Sequence, residues 1–87
     1  MDIFKILEMR NSWNEIEGRL IKEFTFNDFN EALIFINKVG VHAENINHHP
    51  KIINVYNSVK IELWTHYKNS ITDLDYKLSR LIDEIIL

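Results

Sequence analysis

The 87-residue sequence contains no cysteine, only two glycines and a single proline. The missing thiols exclude disulfides, thiolate nucleophiles, Cys-ligated zinc and iron–sulfur clusters together, so any chemistry must come from imidazole, carboxylate or hydroxyl groups. Gly18 and Gly40 stand alone, and neither a P-loop nor a dinucleotide fingerprint, which need clustered glycines, can be written in the chain. Basic charge is not in excess either. A formal net charge of −3 and an isoelectric point near 5.7 withhold the bulk attraction that nucleic acid or an anionic membrane would need. Long apolar runs are missing: the stretch Leu33 to Ile36 is cut short by Asn37, and Met1-Asp2-Ile3-Phe4-Lys5 lacks the basic region and apolar core of a signal peptide. A cytoplasmic protein is expected, with small-molecule or protein partners, no nucleic acid and no membrane.

What is present is a composition for folding: 46% hydrophobic and 26% charged residues. Residues 1–87 are expected to form a single domain, being fewer than the roughly 100 to 150 typical of one. A core this small is marginal, which favours a homodimer or homotetramer. Ile34 and Val41 on the far side of a helix and the apolar end Ile86-Leu87 are candidate contacts, with the last helix as the expected interface.

Along the chain, Ile3, Ile6 and Leu7 fit a short helix. From Trp13 to Phe26 two runs flank Glu17-Gly18, with Leu20, Phe24 and Phe26 at even spacing, which reads as a β-hairpin. The period then changes to 3.6. Asp28 with Glu31 has the form of a capping box, and Phe29, Ala32, Leu33, Ile36, Val39, Gly40 and Ala43 form one apolar stripe. Pro50 disfavours helix at His49 and places Asn47-His48-His49 at or beyond the helix end. Ile52 to Thr65 reads as a second hairpin turning at Asn57-Ser58. Val59, Ile61 and Leu63 share one face, and an odd loop from Tyr56 to Ser58 brings Ile53 and Val55 onto it. By parity His66 falls on the face away from the helices. Thr72 and Asp75 open a last helix with Leu74, Leu78, Leu81, Ile82 and Ile85 as its stripe. Hairpin, helix, hairpin, helix makes an α+β two-layer sandwich with helices packed on one face of an antiparallel sheet.

His48, His49 and His66 lie at element ends, where polar groups converge on clefts. Glu44 precedes His48 by four residues, so on a continuous helix its carboxylate reaches that ring. Three imidazoles with Glu44 or Asp75 would also make a zinc set, but no H-x-H or H-x-x-x-H pair offers two ligands on one face. Ser12, Ser58, Ser70 and Ser79 lack the glycine-lined elbow of a nucleophile. His42 is inside the helix and is assigned no role. Trp64 and Tyr56 flank the expected cleft and are placed to stack on a flat ring.

The run Glu44-x-x-x-His48-His49-Pro50, then Tyr56 six residues after the proline, His66 ten after that and Asp75 nine further on, resembles the signature of the pterin-4a-carbinolamine dehydratases. Asn54-Val55-Tyr56-Asn57, Thr65-His66, Trp13-Asn14-Glu15, Phe24-x-Phe26-x-Asp28-Phe29 and Ala43-Glu44 resemble it too, so the likeness covers residues 13 to 82 or so. The resemblance implies a four-stranded antiparallel sheet with helices on one face. It also implies a hydro-lyase that removes water from 4a-hydroxytetrahydropterin, giving quinonoid dihydropterin in tetrahydrobiopterin recycling. No metal is implied, and no cofactor beyond the substrate, itself an oxidised pterin cofactor. By the same likeness His48 and His66 carry proton transfer, His49 binds and orients the pterin, and Glu44, Asp75, Pro50, Tyr56 and Trp64 support or line the site. Lys51 and Ile52 depart from an acidic residue and Trp found in many members, and Leu74 from an Arg found in some. Two alternatives stand beside this: a non-catalytic dimerisation cofactor for a transcription factor, and a related dehydratase of molybdopterin metabolism.

Overall fold

The computed structural model describes residues 12–86, so the short helix expected in the opening residues lies outside them. In chain order the elements are β1 (Asn14–Ile16), β2 (Arg19–Thr25), α1 (Phe29–Asn45), β3 (Lys51–Val55), β4 (Ser58–Leu63) and α2 (Asp73–Ile86). The strands form one antiparallel sheet in the order β1-β2-β4-β3. Leu20 and Phe24 of β2, with Val59, Ile61 and Leu63 of β4, face α1 and α2 across one core. This is the α+β sandwich that the alternating periods predict.

The first hairpin turns at Glu17 and Gly18, both at positive φ (50° and 75°), the backbone that matches strand twist in a two-residue turn. Parity then puts Lys22 on the helix-facing side between Leu20 and Phe24. The sequence reading had no role for it. Its buried ammonium donates to Asp83 of α2 at 2.9 Å, and the Trp13 indole N–H reaches the same carboxylate at 3.2 Å. A charge in the core is tolerated because its partner reaches solvent and the ammonium lies over the Trp13 and Phe24 rings, 6.0 and 5.1 Å from their centroids.

Helix α1 begins as expected. Asp28 is extended and its carboxylate accepts from the Glu31 N–H at 2.8 Å, while Glu31 accepts in return from the N–H of Asn27 at 3.1 Å. The buried stripe is Ala32, Phe35, Val39 and Ala43, rotated from the expected one: Phe29 and Leu33 are exposed. Phe35 fixes the rotation by packing on Phe24 and Phe26, with ring centroids 4.8 and 4.9 Å apart. On α2 the buried residues are Asp75, Leu78, Ser79 and Ile82, with Leu74, Leu81 and Ile85 only half-buried.

The second hairpin corrects the expected loop. Val55 pairs with Ser58, leaving a two-residue turn of Tyr56 and Asn57, so Ile52 and Asn54 share the core side with Ile61 and Val59. Ile53 and Val55 therefore face outward and are exposed. The tight turn holds because Tyr56 adopts φ 50° and Asn54 donates to the carbonyls of Tyr56 and Ser58 at 3.1 and 2.9 Å.

Candidate active site

The last turn of α1 decides where the histidines go. Asn47 takes a left-handed φ of 50°, its N–H bonds to the Glu44 carbonyl at 3.2 Å, and the His48 N–H bonds to the Ala43 carbonyl at 3.0 Å. That pair of bonds is a Schellman termination, which satisfies the last carbonyls and brings the residue after the left-handed position back onto the helix. His48 is that residue. It is driven into the protein beside Ala43, whereas His49 and Pro50 run on to β3, which enters the sheet beside the end of β4.

The buried His48 ring meets Asp75, whose side chain is fully enclosed at the start of α2. His48 Nε2 lies 2.5 Å from Asp75 Oδ1. The other oxygen, Oδ2, accepts from the Thr65 hydroxyl at 2.9 Å and from the Thr72 N–H at 2.8 Å. Thr65 Oγ1 also lies 2.6 Å from the Thr72 hydroxyl, so two threonines and a helix end enclose the carboxylate. Oδ2 already carries two donors, and a carboxylate Oδ1 accepts from His48 when the ring holds its hydrogen on Nε2. The positive end of α2 favours a negative charge there. No buried side-chain nitrogen or oxygen among the described residues lacks a hydrogen-bond partner. Nδ1 of His48 has no protein partner among the described residues and so is not a fully enclosed atom.

Thr65 links this network to the third histidine. It leaves β4 pointing inward, and the turn 66–69, closed by the Thr65 N–H to Ser70 carbonyl bond at 2.8 Å, begins at His66 on the other side. His66 is exposed, its ring 4.6 Å from that of Trp64, and the Arg19 guanidinium covers Trp64 at 4.1 Å. Arg19 in turn lies 3.6 Å from the buried carboxylate of Glu62. His66 thus stands on the face away from the helices, as parity predicts, one peptide from the threonine that holds Asp75.

The expected pairing of Glu44 with His48 does not form. Because the helix stops before His48, Glu44 meets His49 instead, Nε2 to Oε1 at 2.5 Å in an exposed pair. Pro50 is half-buried at the entrance to β3. Trp64 lies beside His66, although Arg19 already covers its ring. Tyr56 does not join it within this chain: it is exposed at the far tip of the hairpin, separated from His49 and Pro50 by the length of β3, about 17 Å. His42 is half-exposed within α1. Among the described residues, no three His, Asp or Glu side chains gather as metal ligands. Arg19 was not singled out from the sequence, Thr72 only as the opener of the last helix, and Thr65 only as half of the Thr65-His66 pair. The spacing Thr72-x-x-Asp75 held the signal for Thr72, being the pattern that sets a carboxylate against a helix N-terminus. Nothing comparable marks Arg19.

The three histidines lie toward one end of the sheet, one bonded to a buried carboxylate, one paired with an exposed carboxylate and one with its ring tilted against an indole. The chain is 45% identical over 84 residues to a Prochlorococcus marinus protein named "Putative pterin-4-alpha-carbinolamine dehydratase", covering 93% of this chain and 88% of that one. A protein of the same name from Sulfurisphaera tokodaii is 42% identical over 86 residues, covering 98% and 91% of the two chains. Among solved structures, a "transcriptional coactivator/pterin dehydratase" from Brucella melitensis superposes with a TM-score of 0.84 at 31% identity, covering 98% of this chain and 93% of the other. A pterin dehydratase-like RuBisCO assembly factor of the alpha-carboxysome shares the fold, with a TM-score of 0.76 at 20% identity over 90% and 93% of the two chains. The family model for pterin 4 alpha carbinolamine dehydratase matches residues 2–85, nearly the whole chain, and with these relatives it establishes that this protein belongs to that family.

Proposed function

We propose that this protein is a pterin-4a-carbinolamine dehydratase that removes water from 4a-hydroxytetrahydropterin by histidine acid–base catalysis, in the recycling of tetrahydrobiopterin. The C4a–O bond breaks as a proton reaches the departing hydroxyl, and a ring N–H proton leaves, so water and quinonoid dihydropterin form with no change of oxidation state. Each transfer needs a positioned group that exchanges protons near neutral pH, which is the role of His48 through Nδ1 and of His66. His49, held by Glu44, binds and orients the pterin, and Trp64 and Pro50 border it. In this reading the enzyme works in the cytoplasm as a homodimer or homotetramer, with neither a metal nor a further cofactor.

The observation that carries the proposal is the buried Asp75 clamp on His48. A carboxylate fully enclosed behind one ring nitrogen fixes the ring and leaves the other nitrogen for a substrate. Stopped-flow measurement of carbinolamine dehydration by the purified protein tests it. Acceleration over the spontaneous reaction is expected, and equal rates with and without protein would overturn it.

A protein-interaction role is the second reading, favoured by the coactivator description of the Brucella structure and by the exposed Ile34 and Val41 of α1. It predicts that substituting the histidines leaves the protein's biological effect intact.

A further inference from the structure

We infer that Thr65 is the positioning residue of the site, setting both proton-transfer histidines at once: His48 through Asp75, and His66 through the peptide bond that joins them. The inference rests on the dehydratase reading for its kinetic part only. Thr65 is almost fully buried, as is Asp75, so their contact is not exchanged for water. Its hydroxyl donates its one proton to Asp75 Oδ2 at 2.9 Å, and it can do so because the Thr72 hydroxyl, 2.6 Å away, supplies the proton that Thr65 Oγ1 accepts. The order of donation is therefore Thr72 to Thr65 to Asp75, with His48 donating from the opposite side. Asp75 cannot turn toward another partner while both of its oxygens are engaged. The His48 ring consequently stays in the tautomer with hydrogen on Nε2. The backbone of the same residue is fixed separately. Its N–H donates to the Ser70 carbonyl and its carbonyl accepts from the Lys68 N–H at 3.1 Å, which sets the turn from which His66 projects.

The test compares Thr65→Val, which keeps the shape and removes the hydroxyl, with Thr65→Ser, which restores it. Nitrogen-15 spectra at alkaline pH should show wild-type His48 as the Nε2–H tautomer, Thr65→Ser the same, and Thr65→Val a mixture of tautomers. Turnover of 4a-hydroxytetrahydropterin should fall roughly 10- to 100-fold in kcat with little change in KM for Thr65→Val, and recover in Thr65→Ser. Should Thr65→Val not fold, Thr72→Val removes the first donor of the chain and should shift the tautomers in the same direction. A pure Nε2–H tautomer in every folded valine variant, or a serine variant as impaired as the valine one, would overturn the inference. If the wild-type protein has no dehydratase activity, that reading falls while the tautomer measurement still decides the role of Thr65.

Discussion

Asp75 and Glu44 each hold a histidine at 2.5 Å, yet their surroundings give them unequal weight. The Asp75 side chain is wholly buried, so its bonds hold His48 without competition from water. The Glu44 side chain is 77% exposed and its partner His49 53% exposed, and such surface pairs contribute about 0.2 to 1 kcal/mol. The kinetic roles should divide along the same line. His48→Ala and His66→Ala are each expected to lower kcat by roughly 10² to 10⁴-fold, the usual worth of a general acid or base. The double variant should lose less than the product of the two, because both serve one elimination. His49→Ala should raise KM more than it lowers kcat, and Glu44→Gln should have a smaller effect than either. Steady-state kinetics on the five variants decides this, and wild-type turnover in all three single alanine variants with an intact circular dichroism spectrum would refute the catalytic assignment.

Between elements, the site depends on how α1 ends. A residue at φ 50° is cheap for Asn or Gly and costly for a β-branched side chain. Asn47→Gly should therefore leave the melting temperature near wild type. Asn47→Val should lower stability by about 1 to 2 kcal/mol and reduce kcat as well, since His48 loses its mount. Thermal melts paired with turnover check it, and a valine variant that matches wild type in both would show that the termination is dispensable. Much of this level is legible in the sequence: both hairpins, both helices and the Asp28 cap follow from spacing and turn chemistry. Two things were not. The rotation of α1 is hidden because Phe29, Leu33, Ile34 and Phe35 are all apolar, and only contact with Phe24 and Phe26 selects Phe35. The partner of His48 is hidden because spacing along a helix favours Glu44, while the actual partner lies 27 residues away on another element. The candidate site residues were readable as a pattern, but their pairing required the third dimension.

For the molecule as a whole, small size and surface hydrophobicity argue for self-association. Ile34 and Val41 are 48% and 60% exposed on α1, opposite the buried stripe. On α2, Ile85 and Ile86 are half-buried against the core, so the exposed face of α1 joins the last helix as an expected contact. Light scattering at micromolar concentration should give a dimer or tetramer, and Ile34→Glu with Val41→Glu should shift it toward smaller species while the fold persists. A wild-type monomer would refute this.

The amide of His48 is part of the termination of α1, bonded to the Ala43 carbonyl, while its ring is bonded to α2. Backbone and side chain of one residue thus tie two helices together. In hydrogen-exchange terms, the His48 amide should exchange with the slow, cooperative unit of the protein instead of fraying with a helix end. Losing the catalytic geometry and losing the global fold would then be the same event, so thermal inactivation and unfolding should follow a single curve.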